Sequence, residues 1–221
     1  MTLGKDEGDL LERYLTLLYA ANRTLNLTRV PREQAADRHI LESLQLLRLA
    51  PWEDGAEALD LGSGGGLPGI PLAVARPRVR FRLLERTRKK ARFLEEVVQE
   101  LGLANVRVQA QDSREYLASE DFRPARYLVS RAAVPLDRLV PELGRLLAPG
   151  GVALLLVSPR TAAGPLAPQA AAAKLEGLQV LSCGAATVVR LRRRGAPFST
   201  RPHRPARAPT PSPPRDPRPR G

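Results

Sequence analysis

Apolar residues at Leu10, Leu11, Tyr14, Leu15, Leu17, Leu18 and Ala21 recur at three- and four-residue intervals, which predicts an amphipathic helix near the start of the chain. A second helix is expected from Pro31, with Ile40, Leu44 and Leu47 on its apolar side. Pro51 stops it, because proline has no N–H to continue the hydrogen-bond ladder. These two helices, within residues 1–55, form an N-terminal cap belonging to the same compact unit as the residues that follow. From Ala56 onward, short apolar runs suited to buried strands alternate with helical stretches, as in a parallel sheet covered on both faces. Strands are expected near 58–61, 81–84, 106–109, 127–130, 152–157, 180–181 and 187–191. The clearest helix between them runs over 88–101, with Ala91, Leu94, Val97, Val98 and Leu101 on one side. The next covers 136–147, ahead of the Pro149-Gly150-Gly151 turn. The fold class is therefore α/β, with the sheet domain over 56–192.

Beyond Arg194 the periodicity stops, and prolines from Pro197 to Pro219 interrupt any element that could form, so residues 193–221 are expected to be a disordered, basic Pro/Arg-rich tail. Residues 1–189 carry 25 Lys and Arg against 22 Asp and Glu, whereas residues 190–221 carry 10 against 1, so most of the excess positive charge lies in the tail. Such a segment attracts polyanions through counterion release without reading a sequence. His203 within it reads as solvated. The single cysteine, Cys183, excludes an internal disulfide and a multi-cysteine zinc site. It reads as a small apolar residue near a strand in a reducing compartment. The first residues lack the apolar run of a secretion signal and no stretch is long enough to span a bilayer, so a cytoplasmic location is expected, with no membrane partner.

The chemistry concentrates after the first strand, in Asp60-Leu61-Gly62-Ser63-Gly64-Gly65-Gly66-Leu67-Pro68-Gly69, which leads into a helix near Ile70 or Pro71. Gly62, Gly64 and Gly66 allow the backbone to turn tightly and approach a ligand, and the helix start offers N–H groups to an anion. In S-adenosylmethionine that anion is the amino-acid carboxylate. The stretch Gly64 to Gly69 also satisfies the dinucleotide pattern. However, a tight turn beginning at Gly62 places Leu67 where the third glycine of that pattern is needed. A purely structural glycine turn is the other reading. Glu85 ends the second strand 19 residues after Gly66, where an acidic side chain can accept hydrogen bonds from both ribose hydroxyls of an adenosine ligand. An ion pair with Arg86 or Arg88 is its structural alternative. Asp112 to Glu115 fall on the same edge of the sheet, next to the adenine end.

Methyl transfer from a sulfonium chiefly requires alignment and exclusion of water. A cytosine C5 acceptor needs a cysteine nucleophile, exocyclic amines often use an Asn/Asp-Pro-Pro-aromatic loop after the fourth strand, and ribose hydroxyls need a deprotonating group. Here that position holds Ser130-Arg131-Ala132-Ala133-Val134-Pro135, with none of these devices. Guanine N7 carries a lone pair and no proton, so no catalytic base is required. Arg131 could then hold guanine O6, a phosphate or the cofactor, or serve as a structural arginine at a strand end. Arg78, Arg80, Arg82, Arg86, Arg88, Lys89, Lys90 and Arg92 form a dense basic run, either an RNA surface or a solvated face.

Four segments resemble the bacterial small-subunit ribosomal RNA guanine-N7 methyltransferase G family, also called glucose-inhibited division protein B. They are Asn22-Arg23-Thr24-Leu25-Asn26-Leu27-Thr28, Arg38-His39-Ile40-Leu41-Glu42-Ser43-Leu44, Asp60 through Pro71, and Ser130-Arg131-Ala132. Arg88-Lys89-Lys90 adds to them. The resemblance implies a Rossmann-like class I methyltransferase with a seven-stranded, mostly parallel sheet and an N-terminal helical cap. The implied cofactor is S-adenosylmethionine and the implied substrate a guanosine in the decoding-region loop of 16S rRNA, as naked rRNA or within the small subunit. A monomer needing no metal is expected. By position, Gly62, Leu67, Arg114, Glu115 and Arg131 carry over as cofactor contacts, and Glu85 matches the family's acidic ribose position. Arg131, Arg160, Arg88 and Lys89 are the substrate-side candidates. His39 and Asn26 match family motifs, with a helix-cap or interhelix hydrogen bond as the expected role. The chain departs from the family at Ala21, where Trp is usual, at Val157-Ser158, where the fifth strand commonly ends in Lys-Gly, and at its C-terminal ending. A methyltransferase for a small metabolite and a noncatalytic ribosome-binding protein of the same fold are the competing readings.

Overall fold

The computed structural model describes residues 3–131, 135–159, 166–183 and 186–195. Helix α1 (Lys5–Leu25) buries Leu11, Tyr14, Leu15 and Leu18 along one face, the face set by the apolar spacing. Asn26, in the left-handed conformation at φ 49°, caps its C-terminus and turns the chain. The second cap element differs from the continuous helix expected from Pro31. A short 3-10 turn (Arg32–Gln34) leads into a π-type turn (Ala36–Leu41), then α2 (Glu42–Gln45) and a further 3-10 turn (Leu46–Arg48). The widened turn lets His39, Ile40, Glu42, Ser43 and Leu44 all be buried, a wider set than a regular helix stripe offers.

The sheet strands are β1 (Glu57–Leu61), β2 (Arg80–Leu84), β3 (Val106–Gln109), β4 (Ala125–Arg131), β5 (Leu147–Val157), β6 (Leu175–Cys183) and β7 (Ala186–Arg193). Their order is β3-β2-β1-β4-β5-β7-β6, parallel from β3 to β5, with β7 antiparallel to both neighbours. Side chains alternate between faces as the pleat demands. Val152, Leu154 and Leu156 of β5 join the core under α1, α3 (Gly69–Ala75) and α4 (Arg88–Glu100), together with Tyr14, Ile70, Phe81 and Leu94. Ala153 and Leu155 join the opposite core, under α5 (Ser113–Ala118), α6 (Leu136–Leu146) and α7 (Ala167–Ala172), with Tyr116, Leu139, Leu143 and Ala170.

The chain runs from β1 outward to β3 and then returns to β4 on the other side of β1. The carboxyl ends of β1 and β4 therefore meet at the point where strand order reverses. Leu61 pairs with Ser130, which sets Gly62 and Arg131 side by side at that edge. In open α/β sheets this crevice is where ligands bind. The tail from residue 196, with His203, and the candidate Arg160 lie outside the described residues.

Candidate functional site

The glycine loop is organised by two buried carboxylates. Asp60, fully buried at the end of β1, accepts the Gly69 N–H through Oδ2 at 3.0 Å. A Cβ on residue 69 would lie 2.5 Å from that oxygen, so the start of α3 can come this close to the strand only without a side chain. Oδ1 of Asp60 has no partner among the described groups, and burial pushes the carboxyl up to about 7 against hydrogen bonds from Ser63 and Gly69. Glu85, at the end of β2, accepts the Gly64 N–H through Oε2 at 2.9 Å and the Thr87 N–H through Oε1 at 2.8 Å. It is buried and makes no ion pair with Arg86 or Arg88 among the described residues, so the surface-pair alternative does not hold. Each oxygen keeps a second acceptor site for a ligand hydroxyl.

The N-terminal cap closes over this loop. Tyr14, fully buried on α1, donates to the Gly65 carbonyl at 2.8 Å, and Leu18 and Leu27 lie so close to Gly65 that a Cβ there would meet Leu18 at 2.8 Å. Asn22 shapes the strap between the helices: its Oδ1 accepts the N–H groups of Leu27 and Thr28, and its Nδ2 donates to the Thr28 carbonyl.

Between cap, loop and strand ends lies a cavity of about 410 Å³, with Leu27, Thr28 and Val30 from the strap, His39 and Glu42 from the π-type turn and α2, Gly62 to Gly65 and Leu67 from the loop, Arg131 from β4, Val157 at the end of β5 and Ser158 just after it among its walls. Arg131 donates to the Arg38 carbonyl, to Glu42 Oε2 and, at 3.0 Å, to His39 Nδ1. His39 Nε2 lies 2.9 Å from Thr28 Oγ1. Burial, and then the charge of Arg131, lower the His39 pKa to about 4, so the ring is neutral at pH 7.

The structure thus gathers Gly62, Gly64, Leu67 and Arg131 around one cavity, with Glu85 gripping the same loop. Gly66, at φ 97°, turns the loop from behind, packed on Ile70 and Leu94. Glu115 and Arg114 are placed differently from a pair of free side chains. The Glu115 carboxylate is taken up in a capping box with Asp112 at the start of α5, and exposed Arg114 pairs with Glu142 at 3.4 Å. The basic run divides as well. Arg78 pairs with Asp54, and Arg80 and Arg82 share the one carboxylate of Glu57, so these three are partly compensated, whereas exposed Arg88 and Lys89 at the start of α4 make no ion pair among the described residues. Asn26 has its expected capping place. His39 makes a hydrogen bond between elements, but to the strap and to β4 rather than to another helix. Thr28, Glu42 and Ser158 were not singled out from sequence as site residues, although the first two fall within segments that were.

A family model described as rRNA small subunit methyltransferase G matches residues 7–188. The protein named Ribosomal RNA small subunit methyltransferase G in Solibacter usitatus is 42% identical over 149 residues, 66% of this chain and 68% of the relative. The protein of the same name in Chromobacterium violaceum is 40% identical over 153 residues, 68% and 70% of the two chains. Among solved structures, MtNAS in complex with MTA and tNA superposes with a TM-score of 0.60 at 17% identity, covering 85% of this chain and 74% of that one. The putative methyltransferase yhhF from Escherichia coli gives 0.56 at 19%, covering 72% and 90%. At such identities these two likenesses concern the fold.

Proposed function

Because the chain belongs to the ribosomal RNA small subunit methyltransferase G family, we propose that it methylates guanine N7 in a decoding-region loop of 16S rRNA, with S-adenosylmethionine as donor. The observation that carries this reading is the cavity at the strand-order reversal, walled by the glycine loop on one side and Arg131 on the other. When bound, the cofactor would supply an electrophilic sulfonium methyl group. Gly62, Gly64 and Leu67 would bring main chain close to it, Glu85 would accept from its ribose, the capped turn at Arg114 and Glu115 would serve its adenine end, and Arg131 would offer N–H donors to a carboxylate, phosphate or base oxygen.

The polar side chains of the cavity fit an acceptor that needs no deprotonation. Both ring nitrogens of His39 are engaged, and Glu42 is paired with Arg131 and with Arg38, the latter at 2.9 Å. A base already committed in this way is ill placed to take a proton from an amine or hydroxyl. Guanine N7 demands only that its lone pair be aligned with the methyl carbon and that water be kept out, which apolar Leu27, Val30, Leu67, Leu156 and Val157 favour. The same reading assigns the protein to the cytoplasm, with rRNA or the small subunit as partner. Among the described residues no helix is long and apolar enough to cross a membrane, and no group of three or more His, Cys, Asp or Glu is placed to hold a metal ion.

The test is transfer of labelled methyl groups to unmethylated small subunits and to protein-free 16S rRNA, followed by chain cleavage selective for N7-methylguanosine. Label at a single guanosine N7 is expected. Label on an exocyclic amine or ribose, or transfer confined to a small metabolite, would overturn the reading. Arg88→Glu combined with Lys89→Glu is expected to weaken RNA binding at low salt while leaving donor affinity within twofold. If both contact phosphate, the slope of log affinity against log salt should fall by about 1.4 to 1.8, at about 0.7 to 0.9 per contact. An unchanged slope removes both from the RNA surface.

A further inference from the structure

Arg131 is gripped from three directions by residues 38–42, and we propose that His39 and Glu42 are positioning residues for methyl transfer that act through Arg131. The proposal rests on the reading of Arg131 as a ligand-facing group. A guanidinium carries five N–H donors in a fixed plane. One from Nη1 goes to His39 Nδ1, and Nη2 supplies the Arg38 carbonyl and Glu42 Oε2. Among the described residues the Nε–H and the second Nη1–H have no protein partner, which leaves them for an acceptor in the cavity that Arg131 lines. Three contacts to one rigid fork fix both its position and its rotation, so the remaining two donors are aimed before any ligand arrives.

Arginine can only donate, which settles the imidazole. Nδ1 must present its lone pair to Arg131, so the proton sits on Nε2 and is donated to Thr28 Oγ1, which also accepts the Val30 N–H at 3.1 Å. His39 therefore joins three elements: the strap after α1, the π-type turn and the end of β4. Burial and the neighbouring guanidinium keep the ring neutral, as this arrangement requires. Glu42, with its side chain 9% exposed, sits between Arg38 and Arg131 and supplies the charge that makes a largely buried guanidinium tolerable. A π-type turn is a rare element that recurs where side chains must be re-aimed, and here it carries both Arg38 and His39.

The two nitrogens of His39 can be tested separately. Asparagine places an amide oxygen near the position of Nδ1, whereas glutamine reaches the position of Nε2. If His39 serves chiefly by holding Arg131, His39→Asn should keep kcat/KM for methyl transfer within about threefold and His39→Gln should lower it about tenfold, the value of one charge-assisted hydrogen bond. The reverse ranking would mean that the Thr28 bond, and hence the strap, is what matters. A double-variant cycle gives the second readout: in an Arg131→Lys background, His39→Gln and Glu42→Gln should each cost less than twofold further. Additive losses would overturn the proposal. Glu42→Gln provides the same cycle if a His39 variant fails to fold. Donor binding by the wild-type protein, measured by calorimetry, separates the two levels. No binding there removes the functional reading itself, whereas normal binding with additive losses removes only the clamp.

Discussion

Asp60→Asn is expected to stabilise the ligand-free fold at pH 8 by up to about 4 kcal/mol relative to its effect near pH 4, because a carboxyl raised from 3.8 to about 7 costs some three pH units of ionisation energy. The sign follows from the direction of the shift. The folded state holds the Asp60 proton more tightly than the unfolded chain, so the associated stability is fully present below pH 3.8 and is lost as pH rises through 7. His39 works in the opposite sense. Its folded value, about 4, lies below the ordinary 6.5, so its share of stability is present above 6.5 and is lost as pH falls through 4. Between about pH 4 and 6.5 the two slopes oppose each other, and the wild-type protein should show little net pH dependence from this pair. Removing the Asp60 titration exposes the His39 slope, so the variant should lose stability on acidification across that window while gaining it at pH 8. Chemical denaturation at several pH values checks both halves, and comparing pH 8 with pH 4 cancels any constant cost of the amide. Parallel curves for variant and wild type would show that Asp60 ionises normally in the fold.

That balance could not have been read from the chain, although the elements carrying it could. β1, β2 and β3 were legible almost to the residue, β1 because its four buried positions run in succession to Leu61, and β2 and β3 because apolar residues there alternate with arginines, as in Arg80–Leu84 and Val106–Gln109. The sixth strand was seen only at residues 180–181 and in fact spans Leu175–Cys183. It lies at the sheet edge, with Val180 about half exposed, and its polar residues and Gly177 break the alternation that marks a strand. Residues 36–48 misled for a related reason. Apolar spacing identifies a helix but cannot report that His39 and Glu42 also turn inward, since their partner Arg131 lies some 90 positions away. The glycine loop was readable because φ values of 65°, 56° and 97° at Gly62, Gly64 and Gly66 leave few other residues possible. Tyr14, by contrast, looked like one more apolar position on α1, and nothing local signals that its hydroxyl ties the cap to the Gly65 carbonyl.

Glu85→Ala is expected to weaken binding of S-adenosylmethionine by about ten- to hundredfold, or roughly 1.5 to 3 kcal/mol, through loss of charge-assisted hydrogen bonds to the ribose. In this structure the carboxylate also accepts the Gly64 and Thr87 N–H groups, so truncation leaves two main-chain donors without their acceptor and loosens the loop at Gly64. A fall in affinity alone therefore does not separate a ribose contact from a loop support. Ligand chemistry does, because a deoxygenated ribose removes the hydroxyl but leaves the loop intact. Calorimetry with S-adenosylhomocysteine and its 2′- and 3′-deoxy analogues should show the wild-type protein discriminating against at least one analogue by tenfold or more, while Glu85→Ala binds all three with nearly equal weakness. If the variant keeps the wild-type preference, Glu85 supports the loop and the ribose is held elsewhere. If the dissociation constant does not change at all, Glu85 leaves the site, and the adenosyl group must lie away from the end of β2.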